Sequence, residues 1–253
     1  MTNGDESKRD ISKPERAPAK LTTSLRVTGV RDDGMHEIDA EMVTLDLYDE
    51  LVITPRTAGE GSEVTVQGTS ADAIDPFDNL ITRAATLAGV EIRVSLTKRI
   101  PAGAGLGGGS ADAAAVLRWA GFDDVEQAAT IGADVSFCLL GGRARVEGIG
   151  EQVTPLPYVR RAFTIVTPPV HCSTPAVYAR WDALGGPVGE HGNDLEPAAI
   201  AVAPELLATR QALGDATGQT PRLAGSGSSW FVEGEFPDAG AVHWTLEAHS
   251  QPQ

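Results

Sequence analysis

A glycine-rich stretch near the middle of the chain contains the residues most able to bind a reactive ligand. It begins Ile100-Pro-Ala-Gly-Ala-Gly-Leu-Gly-Gly-Gly-Ser-Ala-Asp and has five glycines within positions 103–109. Glycine adopts positive φ and lets a bulky phosphate approach the backbone, while the first N–H groups of a following helix face the anion. The stretch therefore predicts a loop that binds a polyphosphate.

The flanking residues predict the elements that hold this loop. Residues 91–98, Glu91-Ile-Arg-Val-Ser-Leu-Thr-Lys98, alternate with a period of two, which is typical of a half-buried strand. After the loop, Ser110 is expected to cap a helix at its N-terminus, and Gly121 is expected to end that helix. Strand, glycine loop and helix thus follow in order.

Three known kinds of glycine loop compete for this stretch. A Walker A loop is excluded because no Gly-Lys-Ser/Thr occurs, and a protein kinase is excluded because His-Arg-Asp and Asp-Phe-Gly are absent. Gly103, Gly105 and Gly108 do fit the dinucleotide pattern, but Asp123 and Asp124, at the required distance of about 20 residues, open a helical run instead of ending a strand. Dinucleotide binding therefore ranks behind a phosphate loop of another kind, and a purely structural turn is the remaining alternative.

The stretch Pro-Ala-Gly-Ala-Gly-Leu-Gly-Gly-Gly-Ser-Ala-Asp-Ala-Ala resembles the phosphate loop of the GHMP kinases, which include galactokinase, homoserine kinase, mevalonate kinase and phosphomevalonate kinase. Its triple glycine followed by Ser-x-Asp-Ala-Ala resembles the branch that acts on 4-diphosphocytidyl-2-C-methyl-D-erythritol. Other blocks agree in order between Ala17 and Val232, among them Ala17-Pro-Ala-Lys20, Asp33-Gly-Met-His-Glu37, Gly132-Ala-Asp-Val-Ser-Phe137, Gly192-Asn-Asp-Leu-Glu196 and Ala224-Gly-Ser-Gly-Ser228.

The resemblance implies an α+β protein with the two-lobed GHMP kinase fold. We expect a polar, disordered tail over 1–16, an N-terminal ATP-binding lobe over 17–157 with a mixed β layer and helices, and a ferredoxin-like α+β lobe over 158–253. Pro155 and Pro157 mark the expected boundary between the lobes.

The family's cofactors are ATP and Mg²⁺, and the resemblance places ATP on the glycine loop. Ser110 is the candidate metal ligand through its hydroxyl. Lys98 matches a basic position before the loop, and Asn79 matches a position near the adenine, although each is also an ordinary strand-end or turn residue. The complete expected ATP site is Asn79, Lys98, Pro101, Ala102, Gly103, Ala104, Gly105, Leu106, Gly107, Gly108, Gly109, Ser110 and Ala111.

Two residues are expected to carry the chemical step. Asp134 lies between a helix end and an apolar run, where a lone carboxylate is costly unless it is paired or functional. By resemblance Asp134 is the base that accepts the proton of the substrate hydroxyl, and Lys20 is its cationic partner. The alternatives are that Asp134 caps a helix and that Lys20 is a surface lysine.

The expected substrate site consists of Thr22, Met35, His36, Tyr178, Gly225, Ser226 and Gly227. In the family two aromatic rings enclose the cytosine and a histidine hydrogen-bonds its edge. This chain has His36 and Tyr178 but Met35 in place of the first aromatic residue, and Thr22 where the family usually has asparagine. The glycine turn from Gly225 is expected to face substrate phosphates, with a simple hairpin turn as its alternative.

Composition limits the partners of the protein. With 35 acidic and 20 basic residues, the net charge of −15 argues against binding to nucleic acid or an anionic membrane. No secretory h-region and no run of 18 apolar residues occurs, so we expect a cytoplasmic protein. The expected partner is a small-molecule substrate, and the expected state is a monomer or weak homodimer. Cys138 and Cys172 are expected to be buried thiols.

The periodicity of the chain predicts the remaining elements. They are an antiparallel β layer over 20–66, helices over 79–88, 124–132, 175–184 and 204–213, and strands over 143–156, 162–167, 230–232 and 242–246. The segment from Ala115 to Gly132 is shorter than the family usually carries.

The resemblance implies phosphorylation of the 2-hydroxyl of the cytidyl substrate in isoprenoid synthesis. One alternative is a kinase of the same fold that acts on another alcohol. The other alternative, favoured by the shortened segment, is a catalytically weak nucleotide-binding paralogue.

Overall fold

A computed structural model describes residues 13–68, 79–241 and 245–252. Most of the expected tail and the first three residues of the strand expected over 242–246 lie outside the described residues. The strands are β1 Glu15–Val30, β2 His36–Pro55, β3 Glu63–Gly68, β4 Ile92–Lys98, β5 Arg143–Gly148, β6 Gln152–Pro155, β7 Ala162–Val166, β8 Arg222–Leu223, β9 Trp230–Glu233 and β10 Thr245–His249. The helices are α1 Leu80–Leu87, α2 Gly108–Ala120, α3 Val125–Ala128, α4 Val135–Leu140, α5 Thr174–Ala183, α6 Glu196–Val202 and α7 Leu206–Thr217, with a 3₁₀ turn at Pro237–Ala241.

The N-terminal sheet has the order β3-β4-β2-β5-β6, and β1 also pairs with β2. Strands β1 and β2 form a long antiparallel ladder that runs from Glu15 opposite Leu51 to Val30 opposite His36. The sheet is mixed, as expected for this lobe, but the antiparallel layer expected over 20–66 holds only for β1 and β2, because β3 lies parallel to β4. A parallel pair needs a crossover connection, and α1 lies in the chain between these two strands.

Helix α2 packs against α1, α4 and β1. Residues 111–117 of this helix are buried, and five of them are alanine or valine. Small side chains let a helix approach its neighbours closely, which explains the alanine run that follows the glycine loop. Gly121 ends the helix in the left-handed conformation with φ +76°, as expected of a C-terminal glycine.

The C-terminal sheet has the order β10-β7-β9-β8, and all its pairs are antiparallel. A buried pair between α5 and α6, Asn193 and Asp194, contacts β1 and the turn before β9. Asp194 accepts hydrogen bonds from the side chain of Arg26 and the backbone of Val27, while Asn193 donates to the carbonyls of Leu223 and Gly225. The Asn-Asp block thus joins β1 to the glycine turn before β9.

Three local expectations need correction. Helix α2 begins at Gly108 with Gly107 as its N-cap, so Ser110 lies in the first turn and does not cap it. The helix expected over 124–132 is only α3, because the backbone turns at its end before Asp134. Helix α6 was not expected, since its Glu196-Pro-Ala-Ala start has no apolar periodicity.

Both cysteines are unpaired thiols and buried, as expected. Burial raises the pKa of Cys138 to about 12, so this thiol stays protonated at neutral pH. No helix within the described residues is long and apolar enough to cross a membrane.

Candidate active site

A cavity of about 860 Å³ lies where the glycine loop, β1, α5 and the turn at Gly225 meet. This volume is within the range of about 300–1,000 Å³ typical of small-molecule sites. Of the residues expected from the sequence, those lining it are Lys20, Thr22, Met35, His36, Lys98, the loop from Pro101 to Ser110, Asp134, Tyr178, Gly225 and Ser226.

The glycines of the loop are required by conformation and by close contacts. Gly103, Gly105 and Gly107 have φ of +69°, +76° and +69°. A Cβ on Gly105 would lie 2.4 Å from the carbonyl oxygen of Ala224, and a Cβ on Gly107 would lie 2.7 Å from Cγ of Lys20. The loop is therefore packed between the first strand and the C-terminal lobe, with no room for side chains at these positions.

Ser110 lines the cavity in the first turn of α2, where the leading N–H groups have no partner within the helix itself. Ala111 lies behind this surface, because its side chain is buried and its N–H donates to the carbonyl of Gly107. Asn79 caps α1 by accepting from the N–H of Thr82 at 3.0 Å. Leu80, the residue after Asn79, lines the cavity.

Lys20 and Asp134 meet beneath the glycine loop. The Lys20 ammonium lies 3.0 Å from Asp134 Oδ2 and donates to the Thr22 hydroxyl at 3.1 Å. Lys20 is only 4% exposed, so the surface-lysine alternative was wrong. Asp134 occupies the N-cap position of α4, but its side chain makes no capping hydrogen bond there. Its carboxylate faces Lys20 and the cavity instead.

Lys98 also pairs with carboxylates, but in a closed environment. Its ammonium lies 2.5 Å from Asp49 Oδ2 and 2.7 Å from Asp112 Oδ2. Burial lowers the pKa of Lys98, but the two carboxylates outweigh this effect and raise it overall. Burial raises the pKa of Asp112 to about 7, although Lys98 acts in the opposite direction. The positive charge of Lys98 is therefore compensated by its own neighbours.

The glycine turn of the C-terminal lobe reaches the Lys20 pair. A Cβ on Gly225 would lie 3.6 Å from the Lys20 ammonium and 3.8 Å from the Thr22 hydroxyl. Ser226 shares a hydrogen bond of 2.8 Å with the Thr174 hydroxyl at the start of α5. Gly227 contributes contact with the glycine loop, since its carbonyl oxygen would lie 2.8 Å from a Cβ on Gly105.

The opposite wall of the cavity is built around His36. Its ring lies tilted by 38° against Tyr178, with the ring centres 4.6 Å apart, and meets Trp181 edge to face at 5.6 Å. Nε2 of His36 is 2.8 Å from a carboxylate oxygen of Asp182. Met35 is 46% exposed beside this cluster. Burial raises the pKa of Tyr178, and the charge of Asp134 adds to that effect, so the phenol remains neutral.

Comparison with known proteins identifies the family. The family model described as GHMP kinases N terminal domain matches residues 78–142. The chain is 40% identical over 242 residues to the 4-diphosphocytidyl-2-C-methyl-D-erythritol kinase of Paracoccus denitrificans, covering 87% of this chain and 86% of the relative. The chain belongs to this kinase family. The kinase of the same name from Ruegeria pomeroyi is 38% identical over 253 residues, covering 88% of each chain.

Solved structures agree with the GHMP kinase assignment. A crystal structure of 4-(cytidine 5'-diphospho)-2C-methyl-D-erythritol kinase matches with a TM-score of 0.75 and 31% identity, covering 94% of this chain and 100% of the other. The structure of L. major mevalonate kinase matches with a TM-score of 0.63 at 12% identity, covering 95% of this chain and 96% of the other, and shows the shared fold alone. The expected α+β GHMP kinase fold is therefore confirmed, and the protein is a kinase.

Membership in a kinase family implies ATP as the phosphoryl donor, and the donor set of this kinase also fits a magnesium ion. Within the described ranges, no three His, Cys, Asp or Glu side chains form a group able to hold a metal by themselves. The Ser110 hydroxyl and the Asp134 carboxylate both line the cavity. Mg²⁺ is usually bound by few protein oxygens together with substrate phosphates, which is the set that this kinase offers.

Residues that sequence reasoning missed now have defined places in this kinase. Asp49 and Asp112 hold Lys98, Asp182 and Trp181 hold His36, and Asn193 holds the glycine turn. Asp112 and Asn193 stand inside blocks already recognised as family-like. Asp49 gave no signal, because an acidic residue among alternating strand residues is ordinarily solvated.

Proposed function

We propose that this kinase transfers the γ-phosphoryl group of ATP to the 2-hydroxyl of 4-diphosphocytidyl-2-C-methyl-D-erythritol, a step of non-mevalonate isoprenoid synthesis. The observation that carries the proposal is the Lys20–Asp134 pair, 3.0 Å apart, in one cavity with the glycine loop. The names of the family relatives include this substrate. The cavity also contains separate candidate positions for the phosphates of ATP and for the alcohol substrate.

Phosphoryl transfer to an alcohol needs a positioned hydroxyl and a group that accepts its proton. Asp134 takes the proton from the 2-hydroxyl as the oxygen attacks the γ-phosphorus, the bond from that phosphorus to the β-bridging oxygen breaks, and ADP leaves. Lys20 holds Asp134 in place and compensates charge on the moving group. Thr22, which accepts from Lys20, orients that ammonium.

The loop from Pro101 to Gly109 and the first turn of α2 receive the β- and γ-phosphates of ATP. Ser110 is the side chain that would hold Mg²⁺, with phosphate oxygens completing its shell. When bound, this ion neutralises the developing charge on the phosphates. Asn79 and Lys98 remain expected near the nucleotide, with Asn79 acting from the cap of α1.

The cytidine end of the substrate is proposed to lie against Met35, His36 and Tyr178. Its phosphates would meet the turn at Gly225 and Ser226, with Gly227 behind. Met35 is the reason to keep a second candidate, a GHMP kinase that acts on another alcohol. A thioether contact with a ring contributes about 0.3–1.5 kcal/mol, a softer wall than a second aromatic ring provides.

The test is ADP release measured in a coupled assay with the cytidyl substrate beside mevalonate, phosphomevalonate, homoserine and galactose. We expect turnover with the cytidyl substrate at least a hundredfold above the others. Equal turnover with another alcohol would support the second candidate. ATP binding without turnover on any of them would support the nucleotide-binding paralogue.

A further inference from the structure

The cluster of Asp49, Lys98 and Asp112 connects the two ends of the glycine loop. Lys98 is the last residue of β4, before the loop, and Asp112 lies in α2, after it. The side chains of Asp49, Lys98 and Asp112 are 0%, 3% and 2% exposed. A single buried ammonium therefore bridges the strand that enters the loop and the helix that leaves it.

Asp49 makes two further contacts with the entry to the loop. Its Oδ1 accepts from the backbone N–H of Arg99 at 2.5 Å and of Ile100 at 2.9 Å. Its Oδ2 accepts from Lys98. Both oxygens of this fully buried carboxylate thus accept hydrogen bonds from the three residues that precede Pro101.

The cluster also touches the first residue of α2. A Cβ on Gly108 would lie 3.1 Å from the Lys98 ammonium and 3.1 Å from Cγ2 of Ile100. Lys98 and Ile100, both held by Asp49, therefore pack directly against the helix start that is proposed to receive phosphate.

We propose that Asp49 is a positioning residue for ATP, holding the glycine loop in its binding conformation through Lys98 and the amides of Arg99 and Ile100. This inference rests on the proposed function, in which the loop binds ATP. Buried charges are expensive, and apolar residues can replace many such clusters without loss of stability. A loop whose amides must face an anion gains from fixed ends, because less ordering is left to be done on binding.

A purely electrostatic role of Asp49 predicts the opposite result to positioning. Removing a negative charge near the loop would tighten ATP binding if charge alone mattered. If Asp49 positions the loop, Asp49→Asn weakens ATP binding because the charge-assisted bond to Lys98 is lost. The sign of the change therefore separates the two roles.

The experiment compares ATP binding by titration calorimetry and steady-state kinetics for wild type, Asp49→Asn and Asp112→Asn. We expect Asp49→Asn to raise the Kd and KM for ATP about tenfold, with KM for the cytidyl substrate within twofold of wild type. Asp112→Asn leaves the Arg99 and Ile100 bonds intact and should raise the Kd about threefold. The double variant should fall short of the product of the two effects, because both act through Lys98.

Asp194→Asn is the matched control, since Asp194 is also a buried carboxylate that accepts from an amide and a cation. It should lower Tm without changing the Kd for ATP. If Asp49→Asn binds ATP as tightly as wild type or more tightly, while its Tm falls as in the control, the positioning role is overturned and the proposed function stands. A wild-type protein that binds no ATP would overturn the proposed function as well.

Discussion

Two lysine–aspartate sets lie beside the same glycine loop and differ in the access of their aspartates to the cavity. In the open set, the Asp134 side chain is 31% exposed and pairs with Lys20 at 3.0 Å. In the closed set, the side chains of Asp49, Lys98 and Asp112 are at most 3% exposed. The same two residue types thus occupy one environment suited to proton transfer and another suited to holding the backbone.

The difference follows from what each carboxylate contacts. The oxygens of Asp49 accept hydrogen bonds from Lys98 and from two backbone N–H groups, and its buried side chain cannot be reached from the cavity. Asp134 lines the cavity and makes no capping bond, so a substrate hydroxyl can reach it. A general base must be within hydrogen-bond reach of the proton that it takes. Access, more than pairing, separates the two sets.

The largest expected effect comes from Asp134→Asn. An amide cannot accept the proton, so we expect kcat to fall on the order of a hundredfold or more, with the Kd for ATP within about threefold of wild type. ADP release and calorimetric titration measure the two quantities. Asp124→Asn, which alters the carboxylate that caps α3, is the control and should keep normal turnover. Near-normal turnover in Asp134→Asn would remove the open set from the chemistry.

Lys20→Met tests whether the open set acts as a unit. We expect a loss of kcat of about the same order as for Asp134→Asn, because an unpaired Asp134 is no longer held and the transferring charge loses its partner. The double variant should lose little more than either single variant. Multiplicative losses in the coupled assay would mean that the two residues act separately.

Gly107→Ala tests the packing of the loop against Lys20. Its φ of +69° and a Cβ 2.7 Å from Cγ of Lys20 predict both backbone strain and displacement of that side chain. We expect the Kd for ATP to rise about thirtyfold, which corresponds to about 2 kcal/mol.

Gly89→Ala provides the matched control for the loop. Gly89 has a φ of +67°, but a Cβ there would meet nothing within 4 Å. Both variants should lose about 1–2 kcal/mol of stability from the left-handed backbone, measured by urea unfolding. Only Gly107→Ala should lose ATP affinity, and equal affinities would contradict the loop assignment.

Tyr178→Ala and His36→Ala test the wall opposite the two sets. Loss of a stacked ring costs about 1–3 kcal/mol in base recognition, so KM for the cytidyl substrate should rise about tenfold and KM for ATP should change little. Met35→Tyr should lower KM for the cytidyl substrate by adding a ring. Tyr158→Ala, at a tyrosine that bonds the Ser250 carbonyl, is the control. Unchanged KM in all three site variants would mean that this wall reads another group.

The smallest effect concerns a third cation–carboxylate set, Glu41 with Arg143 and Arg161, which lies outside the cavity. The hydrogen bond from Arg143 lowers the pKa of Glu41, although burial acts against it. A lowered folded-state pKa contributes stability that is present above the unfolded value of about 4.5 and is lost as pH falls through the folded value. Glu41→Gln should therefore reduce the fall in unfolding free energy below about pH 5, and an unchanged acid profile would contradict this.

Much of the fold and the site was predictable from the sequence. The strand, glycine loop and helix followed from alternation at residues 91–98, from glycine content and from Gly121, all of which act locally. The start of α2 was misplaced, because Gly107 in the left-handed conformation begins the helix and makes a cap at Ser110 unnecessary. The parallel pairing of β3 with β4 was also missed, since period-two alternation indicates a strand but not its direction.

Through its likeness to the GHMP kinases, the sequence by itself determined that the chain contains a glycine loop of the GHMP type and that Lys20 and Asp134 are the candidates for the chemical step. Only the tertiary structure decided that Asp49 and Asp112 meet Lys98 and that this second set is closed while Asp134 stays open to the cavity. Lys20 and Asp134 are separated by most of the N-terminal lobe, and Asp49 reaches Lys98 only because β2 pairs with β4. Residue type sets which charges can pair, but burial and access depend on packing between distant segments, and no local pattern encodes them.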